Sequence, residues 1–160
     1  MTDNNGEHPF GDAGQLILLV LFLTVWTVDS FFLRTSTFLS DAIPLYIRLI
    51  FLGLALVTAA YLSMSGHDAT GVEQRGTKVI SSGAFRYVRH PLYLGCLLFY
   101  LGLAFSTASI FSFALVVLIF VFYNYIASYE ERWLDEKFGE EYGEYKKRAG
   151  RWLPRIDKEG

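Results

Sequence analysis

The chain has 160 residues, 52% of them hydrophobic and 17% aromatic, with a mean hydropathy of +0.32. That is more apolar than a soluble domain of this size, and a net charge of −2 without a basic module gives no ground for nucleic-acid binding. The expectation is one all-α integral membrane domain over 1–160: four transmembrane helices, the last two forming a hairpin, plus a C-terminal amphipathic helix.

The tail 1–14 holds Asp3, Glu7 and Asp12, and no Lys or Arg precedes Arg34. A secretory signal carries a basic start, so the first apolar run is read as a permanent span. Gln15 to Leu33 and Leu45 to Met64 are each about 20 residues long, enough for a hydrocarbon core of roughly 30 Å. They make 15–64 a scaffold pair, interrupted only by Asp29 and Arg48. Antiparallel neighbours put those two charges at similar depth, and a charge inside a span needs a partner or a route to the surface. Asp29 and Arg48 are therefore expected to lie close together in a structural role. Ala55 and Ala59 form a step of small residues that permits close helix packing.

The loop 65–90 is polar, with Gly66, Gly71 and Gly76. The region 91–129 contains no Asp, Glu, Lys, Arg or His. As one helix it would exceed 55 Å at about 1.5 Å per residue, so the small polar run Ser106-Thr107-Ala108-Ser109 is the expected fold-back point. Pro91 suits the first helical turn, where its missing N–H costs little. The third helix is short, roughly 22 Å, which would place His90 and Tyr93 in a partly water-excluded pocket. Cys96 is the single cysteine, expected to pack rather than react. In 130–154, Leu134, Phe138, Tyr142 and Tyr145 line one helical face, with Glu144 and Arg148 spaced for an i,i+4 pair. This segment is expected to lie on the membrane or fold back over the loop, with Trp152 and Pro154 ending the structured part. Twelve of the 14 Lys and Arg residues fall in 65–90 or after Tyr129. The positive-inside rule makes that face, and both termini, cytoplasmic.

Arg86, Arg89, His90, Tyr87 and Tyr93 stand at one end of the uncharged hairpin, and Glu130 and Glu131 at the other. Singly, these are ordinary interfacial residues: snorkelling cations, an aromatic belt, solvated carboxylates. Together they resemble a known pattern. Arg89-His90-Pro91-Leu92-Tyr93-Leu94-Gly95, the hairpin, Glu130-Glu131 and Phe138-Gly139-Glu140-Glu141-Tyr142-Gly143-Glu144-Tyr145 are similar to the isoprenylcysteine carboxyl methyltransferase family. Membrane phospholipid N-methyltransferases share a related pattern.

The resemblance covers roughly Thr77 to Pro154. It implies methyl transfer from S-adenosylmethionine to a lipophilic small molecule or lipid, with no metal. It places cofactor contacts on Thr77, Lys78, Val79, Ile80, Phe85, Arg89, His90, Pro91, Leu92, Tyr93 and Glu130, with His90 and Glu131 as catalytic candidates. The physics is compatible: a carboxylate suits the cofactor's cationic end, aromatic faces attract a sulfonium, and a basic group meets its carboxylate. No Gly-x-Gly-x-x-Gly opens a βαβ unit, so the site is not Rossmann-like. Two positions depart from the pattern. Phe85 stands where the family usually has tyrosine. Ile126 stands where carboxyl methyltransferases place the arginine that engages the acceptor carboxylate, so a neutral or softer acceptor (amine, thiol or hydroxyl) is expected. The alternatives are an NADPH-dependent membrane sterol-type reductase, which has a related Arg-His-x-x-Tyr-x-Gly pattern, and a non-catalytic membrane adaptor that retains the fold.

Overall fold

A computed structural model describes residues 11–69 and 78–155. Expectations placed on Asp3, Glu7, Gly71, Gly76 and Thr77 lie outside the described residues. The described chain is helical, with no β-strand among its described residues: α1 Gly11–Thr27, α2 Leu45–Ala69, α3 Pro91–Thr107, α4 Ile110–Phe138 and α5 Glu140–Arg148. Three helical stretches, Gly11–Leu33, Leu45–Asp68 and Ile110–Phe138, are long and apolar enough to cross a membrane. The apolar α3 is shorter, at 17 residues.

Their surfaces fit a lipid solvent. Val57 is 70% exposed, Met64 68% and Ile17 66%, while helical backbone groups are satisfied within each segment, as a hydrocarbon environment requires. Where helices meet, the residues become small or aromatic. The α2–α3 contact is the most extensive in the fold. A Cβ on Gly102 would stand 3.0 Å from the Ala55 methyl, and one on Gly95 3.1 Å from the Ala59 carbonyl oxygen. Ala55 and Ala59 thus face glycines, and the two backbones approach as closely as glycine allows. On the other side of α3, Phe22 of α1, Tyr100 and Ala104 of α3, and Ile119 and Tyr123 of α4 form the buried core.

The helix ends differ in detail from the sequence reading. Helix α1 starts four residues earlier than Gln15, and α2 runs five beyond Met64. The polar end of α2 is held because Ser65 Oγ accepts a hydrogen bond from the Ala84 N–H. Helix α3 closes on Ala108 in the left-handed conformation (φ 54°), and α4 starts at once with Ser109, whose side chain accepts from the Ser112 N–H as an N-cap.

Asp29 and Arg48 do not pair. Asp29 sits in a π-helical turn, Val28–Leu33, and accepts hydrogen bonds from the Thr35 hydroxyl (2.7 Å), the Ser36 N–H and hydroxyl, and the Ser109 hydroxyl (2.6 Å). Arg48 donates to the Ile43 and Ser106 carbonyls, at 3.1 and 2.9 Å. Both charges do flank the α3–α4 turn. Neutral hydroxyls satisfy Asp29, and Arg48 takes the Ile43 carbonyl before α2 and the Ser106 carbonyl in the last turn of α3, where an α-helical end exposes unsatisfied carbonyls. The result is a pinned turn at one end of the bundle, opposite the end that carries His90 and Glu130.

Candidate active site

His90 is the residue before α3, and Pro91 starts that helix. With φ fixed, Pro91 sets the entry of α3 and so the direction of His90 and Tyr93. Glu130 and Glu131 lie on α4 beyond its apolar run. Antiparallel α3 and α4 bring these ends together. His90 Nδ1 is 3.6 Å from Glu130 Oε2, and His90 Nε2 is 3.0 Å from Glu131 Oε1. The Tyr93 hydroxyl donates to Glu130 Oε1. The rings of His90 and Tyr93 stack with centroids 5.7 Å apart, and Tyr93 stacks on Tyr123 at 5.1 Å.

The two glutamates have different surroundings. The Glu131 side chain is 8% exposed and is clamped by two guanidinium groups. Arg89 approaches it through Nε at 3.0 Å, and Arg151 through Nε at 3.1 Å and Nη2 at 2.6 Å. With His90 Nε2 also on Oε1, both Glu131 oxygens are engaged in an internal network. The Glu130 side chain is more open, at 22%. Since Glu131 is the acceptor, Nε2 of His90 carries a proton, and Nδ1 is the nitrogen turned toward Glu130.

The sequence reading does not single out Arg151, Asn124 or Ser128, and it takes Trp152 only as the end of the structured part. The chain after α5 returns to the site. Gly150 forms an isolated parallel bridge with Val88, and its carbonyl accepts from the Arg89 N–H at 2.8 Å. Arg151 then reaches Asn124 Oδ1 (3.2 Å) and Ser128 Oγ (3.0 Å), and the Trp152 indole N–H also donates to Asn124 Oδ1 (3.2 Å). Trp152 packs beside His90, centroids 5.8 Å apart. Asn124 was the available signal, as an amide in an otherwise apolar run needs a hydrogen-bonding partner.

Helix α5 follows a break at Gly139 (φ +53°), so α4 does not run on continuously. It folds over the 78–90 loop: Tyr142, Tyr145 and Ala149 are buried with Val79, Leu134 and Phe138 packed on them, and the Tyr145 hydroxyl donates to the Phe85 carbonyl at 2.8 Å. Glu144 pairs with Lys147 at 2.6 Å, one residue short of Arg148. Burial pushes the Tyr142 and Tyr145 phenols well above the ordinary range.

The sequence-derived site residues therefore divide. His90, Pro91, Tyr93, Arg89, Glu130 and Glu131 converge; Leu92 is partly buried beside them on the first turn of α3. Val79 and Phe85 belong to the wall beneath α5. Lys78 is exposed and Ile80 partly buried, and Thr77 is outside the described residues. Ile126 is buried at 1% exposure, so α4 itself carries no cation one turn before Glu130; the guanidinium nearby is that of Arg151, bonded to Asn124 and Ser128. Among the described residues no group of three His, Cys, Asp or Glu side chains could hold a metal.

A family model described as phospholipid methyltransferase matches residues 42–141. Methanethiol S-methyltransferase of Pseudomonas deceptionensis is 30% identical over 90% of this chain and 57% of its own length. Methanethiol S-methyltransferase 1 of Bradyrhizobium diazoefficiens is 30% identical over 86% of this chain and 42% of its own. The chain thus spans about half the length of these two relatives. The cobalt-zinc-cadmium resistance protein CzcN of Cupriavidus metallidurans is 30% identical over 98% of this chain and 76% of its own length. No solved structure matches significantly.

Proposed function

The chain belongs to the phospholipid methyltransferase family, and from that membership we propose an integral membrane methyltransferase that uses S-adenosylmethionine to methylate a small, neutral, lipophilic acceptor. The observation that carries this reading is the meeting of His90 and Tyr93 with Glu130, at 3.6 Å and hydrogen-bond distance respectively, where α3 begins and α4 leaves its apolar run. A partly open carboxylate beside stacked aromatic rings fits the cofactor's cationic groups, and the ring faces suit a sulfonium. When bound, S-adenosylmethionine supplies a methyl group on a sulfonium, which leaves as a neutral thioether.

The chain's own residues do the rest. Glu130 and Tyr93 hold the cationic end. Glu131 is an anchor rather than a base: it fixes Arg89, Arg151 and His90, so that the wall returning after α5 closes the site. His90 Nδ1 can receive the proton that the acceptor loses as its new bond to carbon forms, while Nε2 stays bound to Glu131. Positioning donor and acceptor in line provides much of the acceleration. The acceptor is best read as a thiol. The missing arginine at Ile126 removes the partner a carboxylate needs, and the two methanethiol S-methyltransferases are similar over most of this chain.

The topology follows the same reading. Helices α1 to α4 are four spans, α3 being short, and the face bearing Arg86, Arg89, Arg132 and Arg151 is cytoplasmic, with both ends of the chain. Tritiated methyl transfer in lipid nanodiscs tests the function. We expect turnover of 1-octanethiol at least 100-fold above that of N-acetyl-farnesylcysteine. Efficient carboxyl methylation without thiol methylation overturns the acceptor assignment, and no transfer to thiol, amine, hydroxyl or carboxylate overturns the enzyme.

A further inference from the structure

Between Ser112 and Ser128, α4 carries one amide, Asn124, in a run that is otherwise aliphatic or aromatic. An amide in a membrane span is costly unless it is bonded, and an apolar side chain there would span the bilayer without that cost. The amide oxygen is bonded twice: Oδ1 accepts from Arg151 Nη1 and from Trp152 Nε1, each at 3.2 Å. Guanidinium and indole N–H groups only donate, so the carbonyl side of the amide is the one that must face them. Both donors come from the segment 151–155, which forms neither helix nor strand.

We propose that Asn124 is a positioning residue for methyl transfer: by fastening this segment to α4, it holds the imidazole of His90 at the angle the reaction needs. The assignment rests on the methyltransferase reading, with His90 Nδ1 as the proton acceptor, and adds a residue that acts only through others. Two routes lead from one amide oxygen to one imidazole. The polar route runs through Arg151, which grips Glu131 at 3.1 and 2.6 Å, and Glu131 Oε1 holds His90 Nε2 at 3.0 Å. The apolar route runs through Trp152, whose ring packs beside that of His90 with centroids 5.8 Å apart. The first fixes the Nε2 edge. The second restrains the ring from tilting, so that Nδ1 stays turned to Glu130 at 3.6 Å. Neither partner is held by packing alone. A partly exposed indole on an irregular segment has several rotamers open to it, and the bond to Asn124 selects one. The Arg151 side chain is 31% exposed, and Asn124 with Ser128 ties Nη1, the nitrogen that Glu131 leaves unbonded. In-line displacement loses rate steeply with small misplacements. A slack segment therefore lowers the rate of transfer more than the binding of either substrate.

In nanodiscs, Asn124→Leu should lower kcat for 1-octanethiol at least 20-fold, with the thiol KM and the S-adenosylmethionine Kd within about threefold of wild type. Asn124→Asp keeps an acceptor oxygen in the same place and should recover most of the rate, to within about fivefold of wild type. Trp152→Phe keeps a ring, removes the indole N–H and leaves Asn124 intact. It should lower kcat at least fivefold, and it decides the matter if the leucine variant does not fold. Fastening is read without activity. Trypsin should cut the Arg151–Trp152 bond at least tenfold faster in Asn124→Leu than in wild type, and no faster in Asn124→Asp, with the fragments identified by mass. Equal loss in the Leu and Asp variants, wild-type kcat in Asn124→Leu or in Trp152→Phe, a raised KM with kcat preserved, or unchanged cleavage in Asn124→Leu would overturn the assignment. Absence of transfer by the folded wild type strikes the enzymatic reading, and positioning falls with it, whereas the cleavage rates still decide whether Asn124 fastens the segment.

Discussion

Adjacent residues on a helix point about 100° apart, so Glu130 and Glu131 meet different neighbours although they are chemically identical. Glu131 is enclosed with Arg89, Arg151 and His90; Glu130 faces Tyr93 and the other edge of the imidazole. Removing one partner of a buried ion pair leaves the others uncompensated, at a cost of about 3 kcal/mol or more. Glu131→Gln should therefore lower the thermal midpoint markedly, and Glu130→Gln should leave it nearly unchanged while weakening cofactor binding at least tenfold. Parallel melting and binding curves check this pair. A second pair concerns α5. The Tyr142 hydroxyl is buried with no hydrogen-bond partner among the described residues, whereas that of Tyr145 donates to Phe85. Tyr142→Phe should be neutral or stabilising, and Tyr145→Phe should cost about 1 kcal/mol. Burial raises both phenols above the unfolded value of about 10. Their ionisation leaves folding stability untouched below pH 10 and lowers it as pH rises beyond that. Tyrosinate absorbance should show late-ionising groups that disappear in the two Phe variants.

At the scale of elements, α2 and α3 are matched by size. Gly102→Val should destabilise by about 2 kcal/mol through overpacking against Ala55, and Ala55→Gly in the same chain should restore part of the loss, because the two sites share one contact. The melting midpoints of the single and double variants measure the coupling. Much of this level was legible in the sequence. The uncharged run 91–129 with its small polar centre marked a return, and Pro91 marked a helix start. His90 and Glu130 followed from those two. What was not legible depended on chain returns that no local period reports. Nothing in Arg151-Trp152 says that it reaches Asn124 and Glu131, and nothing in Asp29 says that Ser36 and Ser109 will satisfy it before Arg48 can. A carboxylate accepts hydroxyls as readily as a cation when they are carried by the turn beside it. The break at Gly139 was likewise hidden, since the apolar spacing of four, four and three continues across it.

For the whole molecule, the arrangement is polarised. One end of the bundle is pinned by Asp29 and Arg48 around the α3–α4 turn, and the other is assembled from α3, α4 and the segment after α5. The pinned end sets the register of α3 against α4, and that register sets the spacing of His90 and Glu130 far away. On the proposed topology of four spans, these ends lie on opposite sides of the membrane. On a Cys96→Ala background, Asp41→Cys should react with an impermeant thiol reagent from outside the cell, and Glu144→Cys should react only after permeabilisation. Reaction of both from the same side would contradict the orientation.

Calorimetric titration of S-adenosylmethionine into wild-type protein in nanodiscs, repeated with Glu130→Gln and His90→Ala, probes the meeting of α3 and α4 most directly. Saturable one-to-one binding to the wild type, weakened at least tenfold in both variants while their melting curves persist, is the expected result. Absence of binding to the folded wild type, or equal binding by all three proteins, would contradict a donor site at position 90 and position 130.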